Sequence, residues 1–131
     1  MKNLIHSVIC VLFAILIFGF VQTAFAQDAT KVDSAHYKVE FENDQVRVLR
    51  ITYGPGEKSV MHEHPDGVAV FLNDQSTKFT FPDGKTQEVT GKAGQTIWMA
   101  AVKHLPENPT DKSFELIFIE MKVKPAMTKK N

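Results

Sequence analysis

Pro55-Gly56-Glu57-Lys58-Ser59-Val60-Met61-His62-Glu63-His64-Pro65 is the stretch that decides how this 131-residue chain folds. Proline and glycine open it as a turn, and the residues from Val60 onward favour an extended backbone. On an extended chain, side chains two apart share a face, so His62 and His64 converge while Glu63 points away. Pro65 biases His64 toward the same extended conformation. Two imidazoles on one face are most of a minimal metal site, and a third ligand has to come from a distant strand. His104 is the candidate. His36 stands at the start of the fold and is expected to be an exposed residue outside the site.

Outward from this stretch, short β-favouring runs alternate with turn residues at the spacing of an all-β sandwich or barrel. The expected strands are Tyr37 to Glu42, Gln45 to Tyr53, Val60 to His64, Val68 to Leu72, Thr77 to Phe81, Thr86 to Thr90, Gln95 to Ala100 and Phe114 to Val123. Phe79 and Phe81 share one face of their strand, with Lys78 and Thr80 giving it a wet side. Pro82-Asp83-Gly84 supplies a tight hairpin turn. Val68 to Leu72 and Leu116 to Ile119 are apolar at every position, which predicts strands covered on both faces. No helix of three turns fits between these runs, so a single antiparallel β domain is expected.

The two ends read differently. Lys2, the apolar run Val8 to Phe18, Gly19 and Ala24-Phe25-Ala26 form a secretion-signal pattern over residues 1–26, with Gln27 as first mature residue. Val8 to Val21 is 14 residues, shorter than the roughly 18 to 20 that cross a bilayer. A periplasmic or secreted protein with no membrane partner after cleavage is therefore expected. Cys10, the only cysteine, falls inside the signal, leaving no disulfide in the mature chain. Without Lys2 the mature chain has 14 Lys+Arg against 15 Asp+Glu, a net charge of −1, which excludes bulk attraction of nucleic acid. Residues 27–35 read as a flexible leader, 36–123 as the domain and 124–131 as a basic tail.

The motif content resembles the cupin superfamily. Its first motif has a glycine, five residues and His-x-His, matched by Gly56, His62 and His64; its second is matched in kind by Gly94, His104 and Asn108. The resemblance covers about Val46 to Met121 and implies a single antiparallel jelly-roll β-barrel with the site in its mouth. Two departures stand out. Val68 or Ala69 occupies the place of the first motif's glutamate ligand, and Ala100 and Val102 replace the second motif's proline and glycine.

The resemblance implies one divalent transition metal, Fe, Mn, Zn, Ni or Cu, held by His62, His64 and His104. Three-histidine iron cupins resemble dioxygenases that cleave diketones or oxidise thiols, so a small-molecule ligand and a dioxygenase-like reaction are the expectation. The other reading is a metal-free binder of a sugar or sugar acid. Met61, Phe71, Trp98 and Met99, with Met121, are candidate pocket residues. Glu63, Asp66 and Glu107 are nearby acids expected to be solvated, and a homodimer through exposed strand edges is expected from the family.

Overall fold

The computed structural model describes residues 27–122. The expected signal segment and the basic tail lie outside the described residues. A four-residue helix, α1 (Ala29–Val32), is followed by nine strands: β1 (Tyr37–Glu42), β2 (Val46–Tyr53), β3 (His62–His64), β4 (Gly67–Phe71), β5 (Gln75–Thr80), β6 (Thr86–Gly91), β7 (Thr96–Met99), β8 (Val102–Glu107) and β9 (Phe114–Met121). All pairings are antiparallel, in one sheet of order β1-β2-β9-β4-β7 and another of order β3-β8-β5-β6. The fold is the expected all-β jelly roll.

Eight strands fall within two residues of the expected ones. The ninth, β8, is not among the expected runs, and it contains Pro106, which cannot donate to a ladder. The structure tolerates it by pairing Pro106 with Phe79 of β5 and using its free carbonyl, which accepts from Ser59 N at 2.9 Å. This strand matters for the site, since its register sets His104 directly opposite His62.

Alternation along the strands builds the core. On β9, Phe114, Leu116, Phe118 and Glu120 turn inward, and Leu49, Ile51, Tyr53, Ala69 and Phe71 meet them from β2 and β4. Each large apolar side chain so buried contributes about 1.5 to 3 kcal/mol. Val68, Val70, Ile117 and Ile119, expected to be covered on both faces, alternate out of this core and are half-buried on the opposite face of the sheet. The expected hairpin forms, with Gly84 at φ 82° closing Phe81 to Lys85. Gly67 is required by packing: a Cβ there would stand 2.6 Å from both the Phe118 ring and the Ile119 carbonyl.

Residues 27–35, expected as a flexible leader, carry α1 and are docked on the barrel. Asp28 caps the helix through Thr30 N at 3.0 Å, Ala29 is fully buried, and Gln27 O accepts from Glu63 N at 2.9 Å. Loss of water around Ala29 and pairing along β3 hold this segment against the sheet.

Candidate metal centre

The strand register brings His62, His64 and His104 together at one end of the barrel interior. Their exposures are 0%, 6% and 2%, and one ring nitrogen from each lies within 4.8 Å of the others. The rings stand edge to face, His62 to His64 at 4.8 Å, His62 to His104 at 5.1 Å and His64 to His104 at 5.6 Å between centroids. Parity along β3 produces the first pair and the β3–β8 ladder adds the third.

Hydrogen bonds on the far side of the His62 and His64 rings define their tautomers. His62 Nδ1 is 2.8 Å from the Val60 carbonyl, which can only accept, so Nδ1 carries the proton. His64 Nδ1 is 2.7 Å from Glu120 Oε1 and donates to that carboxylate. The two Nε2 atoms face each other at 3.1 Å, an arrangement that requires a cation or a shared proton between them. Two nitrogens on one ion, each about 2.1 Å from it, stand roughly 3 to 3.5 Å apart. His104 goes further: both its ring nitrogens are buried and unpaired among the described residues. A shared proton would engage His62 and His64 only, whereas a metal ion would engage one nitrogen of all three rings. The residues present therefore fit a metal.

Electrostatics keep His62 and His104 unprotonated. Burial first, then the neighbouring His64, lowers the His62 imidazole to about 4, and burial with His64 and His62 lowers His104 to about 2. The Tyr37 ring meets His62 edge-on at 4.8 Å, and its hydroxyl is hydrogen-bonded to that of Tyr53 at 2.7 Å. Phe79 and Phe118 pack on His104 and His64, with centroids at 4.3 Å and 5.1 Å.

Glu120 is the functional residue that sequence reasoning missed. It sits 2% exposed on β9, accepts from His64, and accepts from Arg47 Nε at 2.6 Å. Burial alone would raise its carboxyl, but the hydrogen bonds from His64 and Arg47 win and hold it below the usual carboxylate range. Arg47 in turn grips Asp28 through Nη1 at 2.7 Å and Nη2 at 3.2 Å. A second chain runs from His62 Nδ1 to Ser59 Oγ at 3.3 Å, on to Asp33 Oδ2 at 2.5 Å, and to His36 Nδ1. His36 thus lies outside the histidine cluster, as expected, but it is mostly buried, stacked on Tyr53, and bonded to Asp33 and Glu57 instead of standing free in solvent.

None of the three weighed acids reaches the rings. Glu63 pairs with Lys103 at 3.3 Å, Asp66 accepts from Ala101 N at 2.7 Å, and Glu107 pairs with Lys78 at 3.1 Å. Asn108 is fully buried and structural, donating to the Gly54 and Lys112 carbonyls and so tying two loops together. At the place of the missing motif glutamate, Val68 turns outward and Ala69 turns in to line the interior.

Beneath His64 and His104 lies a cavity of about 50 Å³ walled by Phe71, Phe79, Met99, Phe118 and other apolar side chains. Phe71 and Met99 of the expected pocket residues line it; Met61 and Trp98 do not. Parity is the reason. Met61 is odd where His62 and His64 are even, and Trp98 alternates with the inward Ile97 and Met99, leaving it 61% exposed. Met121 is likewise absent from the lining, because Glu120 holds the inward position beside it.

A jelly roll of two antiparallel sheets with three histidines at one end of its interior defines a cupin-type barrel, and solved structures agree. A cupin domain from Bordetella pertussis Tohama I superposes with a TM-score of 0.62 at 26% identity, over 66% of this chain and 92% of that one. A cupin superfamily protein from Desulfitobacterium hafniense gives 0.50 at 16% identity over 66% and 76% of the two chains. The polyketide cyclase RemF from Streptomyces resistomycificus gives 0.50 at 17% identity over 68% and 66%. The last two share the fold alone; the first supports the cupin superfamily. No family model matches the chain, and no curated protein matches it.

Proposed function

We propose that this chain is an exported small cupin that holds one divalent transition metal through His62, His64 and His104 and binds or oxidises a small molecule in the cavity beneath them. The observation that carries the reading is the convergence of two Nε2 atoms 3.1 Å apart on a third imidazole whose nitrogens have no partner among the described residues. Export rests on the composition of residues 1–26.

Bound there, Fe, Mn, Zn, Ni or Cu would supply Lewis acidity or, for a redox-active ion, oxygen activation, with neutral ligands leaving its charge uncompensated. The chain's own residues do the rest. Glu120 and the Val60 carbonyl hold the Nδ1 protons and aim both Nε2 atoms inward. Phe71, Phe79 and Phe118 exclude water from the space next to His64 and His104. An apolar wall of this kind suits a hydrocarbon or aromatic group and offers few partners for sugar hydroxyls, which weighs against a metal-free sugar binder.

Elemental analysis of the purified protein tests the reading, with His62→Ala and His104→Ala as controls. One metal per wild-type chain, lost in both variants, is expected. A wild-type content far below one after loading with each of the five metals overturns it. Oxygen uptake with small diketones, thiols and phenols then tests the dioxygenase-like reaction, and no uptake with any of them removes catalysis from the proposal. A thermal-shift response to sugars that survives chelator would favour the metal-free binder instead.

A further inference from the structure

Among the described residues three buried side-chain polar atoms have no hydrogen-bond partner: the two ring nitrogens of His104 and Oε1 of Gln75. Both residues stand in the wall of the cavity beneath the rings. The other polar groups of that wall are engaged. The Tyr37 and Tyr53 hydroxyls bond each other at 2.7 Å, His64 bonds Glu120, and Thr77 Oγ1 accepts from Gln75 Nε2 at 3.2 Å. One end of the Gln75 amide is anchored and the other is free.

Strand parity sets the two unpaired groups at opposite ends of the cavity. Gln75, Thr77 and Phe79 are the inward residues of β5, and the Phe79 ring packs on His104. Gln75 lies four residues before Phe79, roughly 13 Å along an extended chain. Opposite Gln75 the ladder places Gly91, where a Cβ would stand 2.4 Å from the Phe71 ring. Strand β6 therefore offers the amide no side chain at this level. Gln75 and Phe114 also line a second hollow, whose other walls are mostly polar, Ser76, Thr90, Lys92 and Lys112 among them. The free oxygen thus belongs to a residue at the boundary between an apolar interior and polar surroundings.

We infer that Gln75 determines which small molecules the cavity accepts, by taking a hydrogen bond from a hydroxyl or N–H at the end of the ligand remote from the histidines. This rests on the proposed binding of a small molecule in the cavity and adds what that molecule must carry. A ligand that supplies the donor relieves a buried oxygen of its missing partner, and one that lacks it leaves the oxygen stranded. Sites built around such a group reject analogues without the matching donor far more sharply than apolar walls reject a wrong size. Shape narrows the class further. A cavity of about 50 Å³ drawn out between His104 and Gln75 suits a slim, unbranched chain of a few carbons, polar at the Gln75 end.

The isomers n-butanol and methyl propyl ether separate the donor from everything else, because only the alcohol donates. Titrating each into chelated protein, with the Met99 methyl resonance reporting from the cavity wall, gives both affinities without any metal. Gln75→Met keeps the length of the side chain and removes its oxygen, and Gln75→Leu is the second variant. Both should fold by circular dichroism, since hydrocarbon replaces an unpaired amide. The wild-type preference for alcohol over ether should exceed that of either variant by about tenfold, as for one buried hydrogen bond. Comparing preferences cancels the unequal cost of taking the two isomers out of water. An equal preference in wild type and a folded variant overturns the inference and leaves cavity binding intact, with water satisfying the oxygen. Unfolding of both variants would mark the amide as structural and also overturn it. No Met99 response to either isomer removes the small-molecule reading itself, and this inference with it.

Discussion

His64 on β3 and Glu120 on β9 come from different sheets and meet inside the barrel at 2.7 Å. The bond joins the two sheets inside the barrel, and it holds His64 in the tautomer that leaves Nε2 free. Arg47 takes the other carboxylate oxygen at 2.6 Å, so the anion is balanced without touching the ligand nitrogens.

Glu120→Gln is expected to weaken metal affinity by about 10- to 100-fold, the range for losing an outer-shell partner of a ligand histidine. Competition against a chelator of known affinity measures it. An affinity equal to wild type would show that the His64 tautomer does not depend on the carboxylate.

His104→Leu separates binding from folding. The substitution removes a ligand, so metal content should fall well below one per chain. It also removes two buried nitrogens that have no hydrogen-bond partner among the described residues, whose desolvation costs about 1 to 3 kcal/mol. In excess chelator the variant should therefore unfold at the same denaturant concentration as wild type or higher. A large loss of stability under those conditions would mean that these nitrogens are satisfied in the metal-free state.

Acid should destabilise the chelated protein from about pH 6.5 downward. His62 and His104 have folded-state values near 4 and 2, below the 6.5 of a free imidazole. Above pH 6.5 both are neutral in either state and the stability is fully present. As pH falls toward the folded values, the unfolded chain takes up protons that the folded chain refuses, and stability drops by about 1.4 kcal/mol per pH unit for each group. Denaturant titrations between pH 7 and 5 read this slope, and in His104→Leu it should be roughly halved. An unchanged slope in the variant would remove His104 from the acid response.

What the sequence made legible was local. Period-two parity placed His62 and His64 on one face, and turn residues bounded eight of the strands. Strand β8 was hidden because Pro106 argues against a ladder, and only the pairing with Phe79 and Ser59 shows how the missing donor is accommodated. Glu120 was hidden for a different reason: an acid after an apolar run looks like the solvated end of a strand. Counting by twos from Phe114 through Leu116 and Phe118 puts it on the inward face, and that count is the signal that could have found it. Trp98 and Met61 yield to the same count, in the opposite direction. The partners Arg47 and Asp28 are separated from Glu120 by 73 and 92 positions in sequence, a distance that local pattern does not cross.

The segment before β1 reaches the buried rings by two routes, Asp28 through Arg47 and Glu120 to His64, and Asp33 through Ser59 to His62. Were the chain exported and metal-loaded as proposed, the two would be coupled at the level of proteolytic trimming. With cleavage after Ala26, only Gln27 stands between the scissile bond and Asp28, so a peptidase that cuts two residues late would strip the carboxylate from Arg47 and release a correctly folded barrel with a loosened ligand. The N-terminal mass of the exported chain, compared with its metal occupancy, would show how little slack that processing step has.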